Sequence, residues 1–129
     1  MSFYALIPAA GSGTRMGGMI EKQYLDLNAV PMIAHAMMVL ARAPRIEKIF
    51  VVLSPTDRRW NNYAWQGWEE RIEVLRCGGR TRAETVLNGL DAIAKTCAPD
   101  DWVLVHDAAR PCLPDEMLAR LLDEVADDP

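Results

Sequence analysis

The sequence is short of several things that whole classes of protein depend on. Cysteine is scarce: Cys77, Cys97 and Cys112 are odd in number and stand at no metal-ligand or redox spacing, so a disulfide framework is excluded and the thiols read as reduced and structural, as in a cytoplasmic protein. Histidine is scarcer, with only His35 and His106. A metal-hydrolase pair built on His106 and Asp107 would have to recruit His35, which falls inside a helical pattern. No apolar run approaches the ~20 residues that cross a bilayer, and Met1-Ser2 leads directly into a strand with no signal-peptide pattern, so no membrane partner is expected. There is no basic excess either. Lys and Arg number 14 against 18 Asp and Glu, a net charge of −4, which argues against a general nucleic-acid binder but leaves room for a local cationic pocket.

Two phosphate-binding signatures are also missing. No Gly-Lys-Ser/Thr follows the first glycines, so there is no Walker loop. A dinucleotide fingerprint needs glycine after Arg15, where Met16 stands, and Gly17 and Gly18 are out of register. It also wants an acidic residue ending the second strand, and that strand runs into Leu53-Ser54-Pro55. Hydride transfer on a nicotinamide cofactor is thereby disfavoured.

What is present is a chain of 129 residues, half of them apolar and a quarter charged, enough for one domain (1–129) with a real core. Phe3 to Ile7 is a strand-forming apolar run, and Pro8 is expected to end it. Ala9, Ala10, Gly11, Ser12 and Gly13 then make a loop of minimal side chains, with Arg15 and Lys22 following. Such a loop lets backbone N–H groups close on an anion, and two cations beside it suit a reacting phosphate. A tight β-to-α turn is the plainer reading. Glu21 to Ala29 reads as irregular. Pro31 suits the first residue of a helix whose apolar face is Ile33, Met37, Met38 and Ala41. Ile46 to Leu53 is a second buried strand, and the βαβ order predicts a parallel sheet.

Trp60, Tyr63, Trp65 and Trp68 cluster between Thr56 and Glu70. They fit a segment covering the sheet better than a stacking platform for a base. Arg71 to Leu75 is a third strand. Thr81-Arg-Ala-Glu84 is a capping box opening a helix with Val86, Leu87, Leu90, Ile93 and Ala94 at helical spacing. The Gly78-Gly79 pair just before it is either a simple turn or part of a site at the helix N-terminus. Trp102 to His106 is the fourth strand, running into Asp107-Ala-Ala-Arg110-Pro111. Ligands of parallel sheets bind at the carboxyl ends of strands, and a carboxylate there is a candidate Mg²⁺ ligand. Pro114 opens a last helix carrying Leu118, Leu121, Leu122 and Val125. Four strands alternating with three helices predict an α/β fold, a Rossmann-like three-layer sandwich with a mainly parallel sheet.

The combination Ala9-Ala-Gly-x-Gly-x-Arg-Met16, Lys22-Gln-Tyr24, Gly78-Gly-x-x-Arg-Ala83 and Val105-His-Asp-Ala-Ala-Arg-Pro111 closely resembles the 2-C-methyl-D-erythritol 4-phosphate cytidylyltransferase family of non-mevalonate isoprenoid biosynthesis. The resemblance runs the length of the chain. It implies a nucleotide-diphospho-sugar transferase type of fold, and transfer of a cytidylyl group from CTP to methylerythritol phosphate with release of pyrophosphate. Arg15 and Lys22 match the family's transition-state cations. The backbones of Ala9, Ala10, Gly11, Gly79 and Arg80 match nucleotide contacts, with the Thr85 hydroxyl toward cytosine and Ala108 near the ribose. Asp107 matches an approach to Mg²⁺ and substrate, and Arg110 lines the same site. The family is homodimeric and runs on for roughly another hundred residues, about a half-domain more, so the chain corresponds to an apparently truncated, N-terminal part. A ribitol-phosphate type of cytidylyltransferase and a non-catalytic nucleotide-binding fragment are the alternatives.

Overall fold

The computed structural model describes residues 2–10, 26–27, 30–57, 60, 70–107 and 115–126. In chain order its elements are β1 (Phe3–Ala9), β2 (Asp26–Leu27), β3 (Val30–Pro31), α1 (Met32–Ala41), β4 (Ile46–Leu53), β5 (Ile72–Leu75), α2 (Arg82–Ile93), β6 (Trp102–Val105) and α3 (Asp115–Ala126). Four strands form a parallel sheet in the order β5-β4-β1-β6. The chain steps outward from β1 to β4 and β5, then returns through α2 to lay β6 on the far side of β1. The last crossover therefore runs opposite to the first two. With right-handed connections, that puts their helices on opposite faces of the sheet.

The packing bears this out. Ala5, Ile7 and Ala9 of β1 join α1 and α3 in one core through Ile33, Met37, Leu40, Leu118 and Leu122. Leu6, Phe50 and Val52 point to the other face and meet Ile93 of α2. Both faces of the sheet are covered, so Ile49 to Leu53 are all buried without polar alternation, as a central parallel strand requires. The three-layer α/β sandwich is as expected.

Several local expectations need correcting. Pro8 does not end the first strand, since β1 continues to Ala9 with Pro8 opposite Val52. The amides of Trp102 and His106 donate to the carbonyls of Ser2 and Leu6, so even-numbered residues of β1 turn their backbone toward β6. That ladder stops at the Leu6–Val105 pair. The missing N–H of Pro8 falls where no strand remains to accept it.

The stretch read as irregular contributes one strand of a short antiparallel ladder, Asp26 pairing with Pro31 and Leu27 with Val30. Pro31 thus closes β3, and α1 starts one residue later. In α1, Met38 is exposed while Leu40 is buried. Arg71 closes this helix by donating to the carbonyls of Ala41, Ala43 and Ile46.

α2 departs furthest from its apolar pattern. Its buried residues are Thr85, Gly89 and Ile93, a run of i, i+4, i+8, while Leu87, Leu90 and Ala94 face out. Gly89 is the cause. A Cβ there would lie 2.7 Å from Val52 Cγ2 and 2.9 Å from Leu6 Cδ1, so the glycine row lets the helix backbone lie directly on the sheet. Trp60 is buried in the core on the α1 face, its backbone amide donating to Asp57 Oδ1 at 3.0 Å, which fits the covering reading at that residue. Tyr63, Trp65 and Trp68 lie outside the described residues. Cys77 and Cys97 are free and packed against the α2-side core, and burial, then Asp101, raises the Cys97 thiol above its ordinary pKa.

Candidate active site

The carboxyl ends of β1, β4, β5 and β6 open on one edge of the sheet, and three chain segments meet there. Gly78 joins the first two. Its N–H donates to Leu53 O at 2.9 Å, and a Cβ on it would stand 2.2 Å from Ala10 Cβ and 2.9 Å from Leu53 O. The glycine is required by close approach. It brings the end of β5 against the end of β1.

The loop from Gly78 to Thr81 is held from below by the first two turns of α2. Thr81 is the N-cap, its hydroxyl accepting from Glu84 N–H at 3.1 Å, so the capping box forms. Its return arm reaches one residue further than usual, because Glu84 Oε2 accepts from the Arg80 amide at 2.9 Å. Thr85 is buried. Its hydroxyl accepts from the Gly79 amide at 3.1 Å and donates to Thr81 O at 2.9 Å. Asn88 Nδ2 donates to Cys77 O at 2.9 Å.

The third segment follows β6. Arg82 Nε donates to Asp107 Oδ1 at 2.7 Å, an ion pair in which the arginine is the more exposed partner. His106 Nδ1 donates to the Asp107 carbonyl at 2.9 Å, since a carbonyl can only accept. The return of the chain from β5 to β6 makes the gap between β1 and β6 a topological switch point, the place where parallel α/β sheets take ligands. Ala9 and Ala10 border it on one side, His106 and Asp107 on the other.

Of the residues singled out in the sequence, Ala9, Ala10, Gly79, Arg80, Thr85 and Asp107 are thus brought to one edge. Gly11, Arg15, Lys22, Ala108 and Arg110 lie outside the described residues. Among the described residues no group of three or more His, Cys, Asp or Glu is placed to hold a metal ion. At the end of β6 the edge offers the Asp107 carboxylate. That suits Mg²⁺ in its usual manner with nucleotides, where substrate phosphates and waters fill most of the coordination shell.

Two contributors were not read from the sequence. Arg82 stood in a quoted motif without a role, yet a cation at the first position of a helix opposes the macrodipole, and that conflict points to an outside carboxylate. Glu84 was read only as a cap.

A three-layer α/β domain whose parallel sheet has its switch point between β1 and β6 has the Rossmann-like fold of the nucleotidyltransferases. Fold neighbours agree. The chain superposes on a solved 4-diphosphocytidyl-2C-methyl-D-erythritol synthase with a TM-score of 0.82 and 37% identity, over 98% of this chain and 55% of that one. The cytidylyltransferase of Francisella tularensis gives a TM-score of 0.77 at 34% identity, over 99% of this chain and 54% of that one. A CMP:2-keto-3-deoxy-manno-octonic acid synthetase, 19% identical over all of this chain and 49% of that one, shares the fold with a TM-score of 0.72.

The particular assignment comes from sequence. The profile of IspD, 2-C-methyl-D-erythritol 4-phosphate cytidylyltransferase, matches residues 3–128, and the chain belongs to that family. It is 85% identical over its whole length to the enzyme of that name from Thiobacillus denitrificans, covering 55% of the relative. Its identity to the Nitrosospira multiformis enzyme is 54%, over 98% of this chain and 56% of that one. The chain spans a little over half the length of the curated relatives it matches.

Proposed function

We propose that this chain carries the CTP-binding part of an enzyme that transfers a cytidylyl group to 2-C-methyl-D-erythritol 4-phosphate, giving CDP-methylerythritol and pyrophosphate in isoprenoid biosynthesis. The observation that carries the reading is the convergence of the β1, β5 and β6 ends on one crevice, clasped by the Gly78–Ala10 contact and the Arg82–Asp107 pair. Family membership supplies the substrates. A phosphate oxygen of methylerythritol phosphate attacks the α-phosphorus of CTP in line, and positioning with charge stabilisation carries the rate. Arg15 forks across phosphate oxygens and Lys22 acts as a point charge. The backbones of Ala9, Ala10, Gly11, Gly79 and Arg80 hold the nucleotide, with Thr85 beneath the base loop, Ala108 by the ribose and Arg110 lining the site. Asp107 would hold Mg²⁺, which would supply charge neutralisation at the phosphates.

The working enzyme is a cytoplasmic homodimer on the family's pattern. Among the described residues no helix is long and apolar enough to cross a membrane. The test pairs calorimetric CTP binding with a pyrophosphate-release assay on the full-length protein. CTP binding with methylerythritol phosphate-dependent pyrophosphate release is expected. Release with ribitol phosphate instead would move the assignment to the ribitol type, and binding without release would leave a nucleotide-binding module.

A further inference from the structure

We infer that Arg82 is a positioning residue, which through its bond to Asp107 Oδ1 fixes the carboxylate that would hold Mg²⁺ at the crevice. The inference rests on the cytidylyltransferase reading above, in which Asp107 serves the metal.

The pair is poorly placed to serve stability. Its side chains are 60% and 30% exposed, and ion pairs open to water add little to a fold. Arg82 is also the first residue of α2, where the partial positive charge of the helix end works against a cation. An acid at that position would stabilise the helix better. What the arginine has there is a firm base. Thr81 caps the helix, Thr85 in its first turn is buried, and Gly89 seats it directly on β1 and β4. The guanidinium is thus carried by a fixed backbone, and its planar group sets a direction as well as a charge.

Asp107 stands where the chain has just left the sheet. β6 ends at Val105, and the His106 amide still donates to Leu6 O at 3.0 Å. One residue later, Asp107 is held at two points. His106 Nδ1 donates to its carbonyl at 2.9 Å, and Arg82 Nε donates to its Oδ1 at 2.7 Å. The first contact settles the peptide and the second settles the side chain. Partners that orient a metal's ligands in this way are worth about 10–100-fold in metal affinity or activity. A cation acting by charge alone would have the opposite sign, since it repels Mg²⁺. Water around the more exposed arginine screens that repulsion, whereas the bond to Oδ1 acts at contact.

The experiment measures calorimetric CTP affinity with Mg²⁺ and with EDTA. It uses the full-length protein and its Arg82→Met, Arg82→Lys and Asp107→Asn forms, with the Arg82→Met, Asp107→Asn double variant. The ratio of the two affinities isolates the metal's share, because a loosened loop or a lost attraction for the triphosphate lowers both and cancels. Arg82→Met is expected to lower the ratio about tenfold. Lysine keeps the charge without the planar group, so Arg82→Lys should lower it about threefold. In the Asp107→Asn background, Arg82→Met should change the ratio by less than about twofold, as residues acting through one carboxylate do. Removing a cation from the helix start relieves the conflict with the dipole, so circular dichroism should show Arg82→Met folded. An unchanged or raised ratio in Arg82→Met, or an equal fall in both backgrounds, would overturn the inference. A wild-type protein that binds no CTP would overturn the cytidylyltransferase reading, and a ratio that Asp107→Asn leaves intact would overturn its metal assignment. Both are told apart by needing no Arg82 variant.

Discussion

Gly78→Ala is the sharpest test of how the crevice is assembled. The added Cβ would sit 2.2 Å from Ala10 Cβ and 2.9 Å from Leu53 O. Ordinary carbon contacts need about 3.5–4 Å, so the loop must retreat from the end of β1 by more than ~1 Å. Neither neighbour can give, because one is a methyl fixed to its backbone and the other is backbone. Retreat also stretches the 2.9 Å bond from Gly78 N–H to Leu53 O. Overpacking of this kind costs about 1–3 kcal/mol, and a weakened hydrogen bond adds ~1 kcal/mol. Circular dichroism should therefore register a fall in Tm of about 5–15 °C. The functional loss should be larger than stability alone explains, since a displacement of about 1 Å at a site can cost ~10²-fold. The control is Ala10→Gly, which removes the 2.2 Å contact. The double variant should recover at least ~1 kcal/mol relative to the sum of the single changes, as directly touching residues do. Strict additivity of Ala10→Gly and Gly78→Ala would refute the contact as the reason for the glycine.

Three further outcomes are expected. Arg15→Ala or Lys22→Ala in the full-length protein should cut turnover by about 10²–10³, or ~3–4 kcal/mol, with far less effect on CTP affinity, because the charge they meet grows in the transition state; parallel losses in turnover and calorimetric affinity would assign them to ground-state binding. Gly89→Ala gains helix propensity of ~1 kcal/mol but drives a methyl into Val52 and Leu6, both fully buried, so denaturant unfolding should show a net loss of about 1–2 kcal/mol. Asp101 accepts from the amides of Ala98 and Ser2, which hold its pKa below the ordinary value; its contribution is full above about pH 5 and lost as pH falls through that depressed value. The Tm difference between wild type and Asp101→Asn should accordingly be largest near neutrality and shrink below about pH 4.

What the sequence disclosed was whatever is encoded locally. The capping box at Thr81 and Glu84 needs only three residues of spacing, and β4 was legible to its ends because a doubly covered parallel strand is an unbroken apolar run. The seat of α2 was not legible. Thr85 and Gly89 carry no hydropathy signal, while Leu87 and Leu90 carry a strong one and face outward, because the helix docks through the residues that allow closest approach. Pro8 misled for a related reason: a proline ends a strand only if its missing N–H was owed to a neighbour, and the position of β6 is not written beside it. At the candidate site, the Arg82–Asp107 pair joins residues 25 positions apart, on the helix that precedes β6 and the loop that follows it. Only the order of strands makes them adjacent. Met38 and Leu40 exchanged roles because α1 is apolar on nearly every side, which leaves the period too weak to fix its rotation.

The proline in β1 has one more effect. A slot between two parallel strands is inherently unstable as empty space, since exposed amides and carbonyls on its walls invite the strands to zip further along. Beyond Leu6, the wall on the β1 side has no donor to offer at Pro8, and the chain leaving Val105 is drawn away by the grip of Arg82 on Asp107. A missing donor on one strand and an ion pair beyond the end of the other both work against further zipping.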